Sequence, residues 1–194
     1  MPIISYNYDW MVYNAFLAMI AVLSGFIFLW LENKYIKIIP GLVWILFLPN
    51  TLYIFTDLVH LMHQWNEVDV SLHPVLLLQY LLFELVGVVT FLFGFLPFEQ
   101  MVSHVRFLKK KKITVFIACN FLIAFGMVLG RVERINSWDI FFVPGKVFNS
   151  ALRVVTSVDL LALTLLFGLL CNFVYFLFRT ILLQRMGKYF HVSD

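Results

Sequence analysis

"LFLPNTLYIFTDLVHLMHQW", residues 46–65, is apolar enough to lie within a membrane and yet carries Asn50, Asp57 and His60. A charged group at the bilayer centre costs on the order of 3 kcal/mol unless it pairs or reaches water, which makes such residues functional candidates. The stretch therefore reads as one wall of an intramembrane polar site on a spanning helix. The rest of the chain has the composition this requires. Hydrophobic residues make up 62% of its 194 positions and mean hydropathy is +0.93, well above the globular range. An all-α integral membrane protein is expected. With 13% charged residues and a formal charge of +3 confined to short segments, no basic face exists for nucleic acid. Cys119 and Cys171 both sit in apolar runs and read as inert core thiols rather than metal ligands or a disulfide.

A helix needs about 20 apolar residues to cross a bilayer. Five stretches qualify, at about 10–31, 38–62, 74–98, 113–134 and 158–183, and together they predict a single transmembrane domain over 1–194. The opening "MPIISYNYDW" lacks a basic region and precedes an apolar run too long for a signal peptide, so it is expected to stay in the mature protein. Pro49 removes a backbone donor and predicts a bend just before Asn50. The connector 138–157 is apolar but broken by Pro144 and Gly145, which leaves room for a sixth, re-entrant or interfacial element. Orientation follows from the basic residues. With "HVRFLKKKK" in the cytoplasm, ten of the 14 Lys and Arg fall inside: Lys34, Lys37, Arg106, Lys109 to Lys112, Arg179, Arg185 and Lys188. Arg131, Arg134, Lys146 and Arg153 are left outside, so the N-terminus is expected outside and the C-terminus inside.

In this topology two polar stripes reach the outer face. On the second span Asn50, Tyr53, Asp57, His60 and Gln64 recur at helical spacing, with His63 at the edge. On the fourth, Asn120, Met127, Arg131 and Arg134 do the same and lead into "NSWD" at 136–139. Gly126 and Gly130 form a small-xxx-small pair that admits a neighbouring helix. The economical arrangement sets Asp57 against Arg131 or Arg134, with Asn50 and Asn136 filling the remaining hydrogen-bond positions. Such a cluster serves either as a clamp between helices or as the lining of an outward cavity.

Several chemistries compete for these residues. Ser137, His60 and Asp57 or Asp139 supply the side chains of a triad, but no nucleophile elbow accompanies Ser137. His60 acting alone as general base, oriented by Asp57 and with arginines stabilising an anion, is easier to build. Asp57, His60 and His63 are zinc-type ligands, yet their spacing sweeps around the helix and two arginines oppose a cation, so no metal is assigned. His63 and His73 are placed in a hydrated outer loop. Glu84, in mid-span, reads as a structural carboxyl, either protonated or hydrogen-bonded to a neighbouring helix, rather than part of a proton path. Asn14 and Asn172 read as interhelical hydrogen-bond partners, and Asp159 as a helix-start carboxylate or a partner for Arg153.

"LFLPNTLYIFTDLVHL" and "GMVLGRVERINSWDI" resemble the signature blocks of a family of bacterial multi-pass membrane proteins of unknown function, and "YNAFLAMI" is similar to that family's first span. The resemblance implies that Asn50, Tyr53, Thr56, Asp57, His60, Arg131, Arg134, Asn136, Ser137, Trp138 and Asp139 are characteristic positions. It implies no reaction and no cofactor. The resulting expectation is a multi-pass cell-membrane protein acting on a membrane lipid or lipid-anchored substrate by acyl or phosphoryl transfer or hydrolysis. His60, Asp57, Ser137 and Asp139 form its catalytic set, and Asn50, Tyr53, Arg131, Arg134, Asn136 and Trp138 its binding set. The alternatives are a ligand-binding or transport subunit for an anionic or amphipathic molecule, working with a partner membrane protein, and a structural or assembly factor.

Overall fold

A computed structural model of the chain describes residues 2–186, and side chains over 5–180. Every regular element among the described residues is helical. In chain order these are α1 (Pro2–Trp30), α2 (Ile38–Phe47), α3 (Pro49–Tyr53), α4 (Leu58–Gln64), α5 (His73–His104), α6 (Arg106–Lys110), α7 (Lys112–Arg131), α8 (Asp139–Phe142), α9 (Pro144–Thr156) and α10 (Val158–Met186). Five segments are long and apolar enough to cross a membrane: Ser5–Trp30, Ile38–Gln64, Val70–His104, Lys112–Arg131 and Val158–Thr180. The protein is therefore an all-helical multi-pass membrane protein. Arg185 and Lys188, counted among the inner charges, lie outside the residues whose side chains are described.

The second span is one pass made of several pieces. Pro49 cannot donate to the turn before it, and α2 stops at Phe47 for that reason. Hydroxyl and amide side chains then take up backbone carbonyls: Thr51 donates to Leu48 O at 2.7 Å, Asn50 to Phe47 O at 3.2 Å and Thr56 to Tyr53 O at 2.6 Å. Such local bonds compete with a regular ladder. Residues Ile54–Asp57 tighten into a 3₁₀ turn before α4 begins. The helix is interrupted at Pro49, where the bend was expected; the 3₁₀ turn is a further departure that apolar periodicity does not signal.

The spans alternate in direction. Asn7 near the start of α1 bonds Gln64 at the end of α4, while Gly25 lies against Trp44 and Pro97. Trp44 donates its indole N–H to Gly94 O at 2.7 Å, tying α2 to α5 one turn before Pro97. The core between α3, α5, α7 and α10 is built on Leu52, Phe91, Phe95, Phe116, Met127 and Tyr175. A smaller cluster, with Met11, Ile54, Tyr80 and Phe83, fills the space between α1 and α5. At the face opposite the α1 N-terminus, Arg179 of α10 grips Glu99 of α5 through two N–H···O bonds of 2.9 and 2.8 Å, and Tyr175 adds a third at 2.5 Å. That clamp was not visible from spacing, because its members lie 80 residues apart.

The span boundaries shift at several ends, and the connector holds the further element left open for it. The first helix begins before residue 10, at Pro2. The fourth ends at Arg131, not 134, because Arg134 takes a left-handed backbone with φ 53°. The connector contains α8 and the 13-residue α9, which is too short to span a core of about 30 Å at about 1.5 Å per residue.

Gly126 is where α7 meets the broken second span, and a Cβ there would lie 2.5 Å from Pro49 Cγ. The proline ring is anchored to the backbone and cannot swing aside. Gly126→Val is expected to cost about 1–3 kcal/mol, the range for overpacking, read as a lowered thermal midpoint in detergent, whereas Gly145→Ala, where no atom lies within 4 Å, leaves the midpoint unchanged.

Candidate functional site

Asp57 lies at the end of the 3₁₀ turn with its side chain only 3% exposed. Arg131, the last residue of α7, donates from Nη1 to Asp57 Oδ1 at 2.9 Å, and Asn14 of α1 donates from Nδ2 to Oδ2 at 3.0 Å. One carboxylate thus joins three spans. His60 stands one turn further out, 47% exposed, with Nε2 3.9 Å from Asp57 Oδ1 and 3.5 Å from Arg131 Nη2. A guanidinium has only donors, so the geometry turns the lone pair of Nε2 toward Arg131. Trp10 covers the ring from α1 at 5.6 Å between centroids.

Asn14 occupies the position that the economical arrangement assigned to Asn50 or Asn136. The 3₁₀ turn explains the exchange. It advances about 120° per residue instead of about 100°, so Asn50 and Asp57 no longer share a stripe. Asn50 faces the loop after α7 and donates to Ser137 Oγ at 3.0 Å. Asn136 contributes its backbone N–H to Asp139 Oδ2 at 2.9 Å, and Lys146 Nζ lies 4.0 Å from the same oxygen. Tyr53 packs against Gly130 and under the Arg131 guanidinium, 5.8 Å from ring centroid to Cζ. Trp138 meets Phe47 at 6.4 Å.

The expected residues therefore divide into two groups. Asp57, His60, Arg131 and Tyr53 form one, with Asn14 and Trp10 added from the first span. Asn50, Asn136, Ser137 and Asp139 form the other, which pins the loop between α7 and α8. The structure joins Ser137 to Asn50 and not to an imidazole, so the triad reading has no geometric basis. Arg134 is exposed, and no salt bridge or side-chain hydrogen bond engages its guanidinium among the described residues. Among the described residues no three His, Cys, Asp or Glu side chains converge on a metal position, and His63 is separate from the Asp57–Arg131 pair. His73 is the first residue of α5 and not part of a loop, stacked on Trp65 at 4.0 Å. The signal for Asn14 was present as a lone amide in an apolar helix; its partner was hidden by a separation of 43 residues.

Above the carboxylate, an amide network closes the same face. Asn7 and Gln64 exchange bonds of 2.7 and 2.8 Å, and Tyr80 donates to Gln64 Oε1 at 3.2 Å. Below it, Glu84 of α5 buries both carboxyl oxygens without a hydrogen-bond partner among the described residues, so of the two forms expected for it the tie to a neighbouring helix is not found. Asn120 does bond Asn172, at 3.0 Å. Glu133 takes Arg153 at 3.5 Å, a pairing the sequence reading had offered to Asp159.

A family model described as "Protein of unknown function (DUF1361)" matches residues 13–174, a span that contains Asn14, Asp57, His60 and Arg131. No curated protein and no solved structure matches the chain.

Two predictions follow from the buried charges. Arg131→Met leaves the Asp57 charge unpaired and is expected to cost about 3–5 kcal/mol; adding Asp57→Asn to it recovers most of the loss, as read by thermal unfolding of both variants in detergent. Glu84→Leu removes an unpartnered polar group whose burial costs about 1–3 kcal/mol, so its thermal midpoint is expected to rise rather than fall.

Proposed function

The chain belongs to the DUF1361 family of proteins of unknown function, and on that premise we propose that it is a cell-membrane enzyme whose outward polar site acts on a membrane lipid or lipid-anchored substrate. The reaction class is acyl or phosphoryl transfer or hydrolysis. One observation carries this reading: a half-exposed imidazole rests against a desolvated carboxylate–guanidinium pair at one end of the spans. Asp57 is already engaged on both oxygens. Its role is to hold Arg131, and through Arg131 the imidazole. His60 acts as the proton-transferring group, and the free Arg134 guanidinium meets the anionic part of the substrate.

The outward placement rests on charge. Lys34, Lys37, Arg106, the run Lys109 to Lys112 and Arg179 cluster at the other end of the bundle, as a cytoplasmic face would. Access from the side is natural for a lipid, because His60 is bordered by the exposed Leu58, Val59 and Met62 of the same span.

A second reading is favoured by the saturation of Asp57. If the pair only shapes the site, Arg134 holds an anionic or amphipathic small molecule without chemistry, and the chain serves as the binding or transport subunit of a larger assembly with a partner membrane protein.

The discriminating experiment is mass spectrometry of lipids and lipid-anchored proteins from cells lacking the protein, expressing it, or expressing His60→Ala. The expected result is a species whose mass changes with the intact chain and reverts with the variant. The same change surviving in His60→Ala rules out the imidazole mechanism. No change in either strain, with both proteins folded, transfers the assignment to ligand binding.

A further inference from the structure

The segment 139–156 starts and ends at the same face of the bundle. It follows α7, whose last residue Arg131 holds Asp57, and it precedes α10, which runs from there toward the Glu99–Arg179 clamp at the other face. A single residue, Ser157, with extended backbone, separates α9 from α10. α9 is one continuous helix with Pro144 at its start, so it neither crosses nor folds back as a re-entrant hairpin. It lies across the end of the bundle.

Around its axis α9 carries three distinct arcs. Ser150 and Val154 are buried and face the bundle, where α9 packs on α7 and α10. Lys146, Asn149, Arg153 and Thr156 form a second, polar arc. The third arc, of Phe148, Leu152 and Val155, is apolar and uncovered, with Phe148 69% and Leu152 53% exposed. At about 100° per residue its centre lies roughly opposite Lys146 and Arg153. The neighbouring α8 adds the exposed Phe141 and Phe142. Beyond Ser157 the spanning α10 begins with further exposed apolar residues, Val158, Leu161 and Leu165.

We propose that α8 and α9 form an in-plane anchor seated in the headgroup layer of the bilayer, with Phe148, Leu152 and Val155 in the acyl-chain boundary and Lys146 and Arg153 at the level of the lipid phosphates. A helix apolar on one side and basic on the other lies in the interface in this way. The position of α9 selects lipid as the occupant, because one residue separates it from a spanning helix whose exposed apolar residues lipid must cover. The anchor also sets the height of the loop 132–138. Asp139 at the start of α8 accepts from Asn136 N–H, and Ser137 in the same loop accepts from Asn50. Arg134 is thereby held at the phosphate layer. This holds whatever reaction, if any, His60 performs.

Nitroxide labels on single-cysteine variants test the proposal in vesicles of phosphatidylcholine and phosphatidylglycerol. The unaltered chain, whose Cys119 is half-buried and Cys171 buried, sets the labelling background. Labels at Phe148→Cys, Leu152→Cys and Val155→Cys are expected to collide several-fold more with oxygen, which partitions into lipid, than with a water-soluble nickel chelate. Labels at Asn149→Cys and Thr156→Cys are expected to show the reverse preference. Should one apolar variant fail to assemble, the other two on the same arc carry the measurement. Equal access of the nickel chelate to both arcs overturns the proposal and makes the arc a water-facing surface. Shielding of the apolar arc from both reagents also overturns it, and identifies a second copy of the chain as the cover.

Discussion

The carboxylate of Asp57 is the constraint around which the rest of the structure is arranged. A charge buried within a membrane-spanning segment has no water to fall back on, so its oxygens must be met by protein donors. Arg131 and Asn14 meet them, from the last turn of α7 and the middle of α1. The three spans are thereby locked in height as well as in position. A slip of α7 by one turn would carry Arg131 about 5 Å away and strand both charges. The close approaches of Gly126 to Pro49 and of Gly130 to Tyr53 follow from the same registration, since small residues let the backbones come near enough for the pair to form.

The break in the second span is what allows this carboxylate to serve as a hub. A regular helix from 38 to 64 would have aligned Asn50 and Asp57 and turned both toward one neighbour. Pro49 and the hydroxyls of Thr51 and Thr56 release the backbone from that regularity, and the resulting 3₁₀ turn rotates Asp57 toward α1 and α7. Asn50 is left facing the loop that carries Ser137. One irregular segment thus supplies two connections: a charged one between spans and a neutral one that holds the loop above them.

The two faces of the bundle solve their electrostatics differently. At one end, Glu99 accepts three hydrogen bonds, two from Arg179 and one from Tyr175. At the other, the Asp57 pair is satisfied, with the half-exposed imidazole of His60 against it, and Arg134 in the loop after α7 is exposed. The left-handed backbone of Arg134, unfavourable for a side chain with a Cβ, closes the end of α7 and lets Ile135 donate to Leu129 O at 3.0 Å.

The sequence by itself determined the membrane-spanning helical architecture, because five long apolar runs have no other way to satisfy both their side chains and their backbone. It also determined which polar residues carry a cost at membrane depth, and so singled out Asp57, His60 and Arg131. Two features were not legible. The 3₁₀ turn arises from several weak side-chain-to-backbone bonds acting together, and no periodicity announces it. Partner choice is set by the relative height of helices 43 to 80 residues apart, which spacing within one helix cannot encode. Only the tertiary structure decided that Asp57 takes Asn14, that Arg134 leaves the helix and takes no ion-pair partner among the described residues, and that Glu99 binds Arg179. Each depends on which donor the packing brings within about 3 Å, and that distance is a property of the assembled bundle.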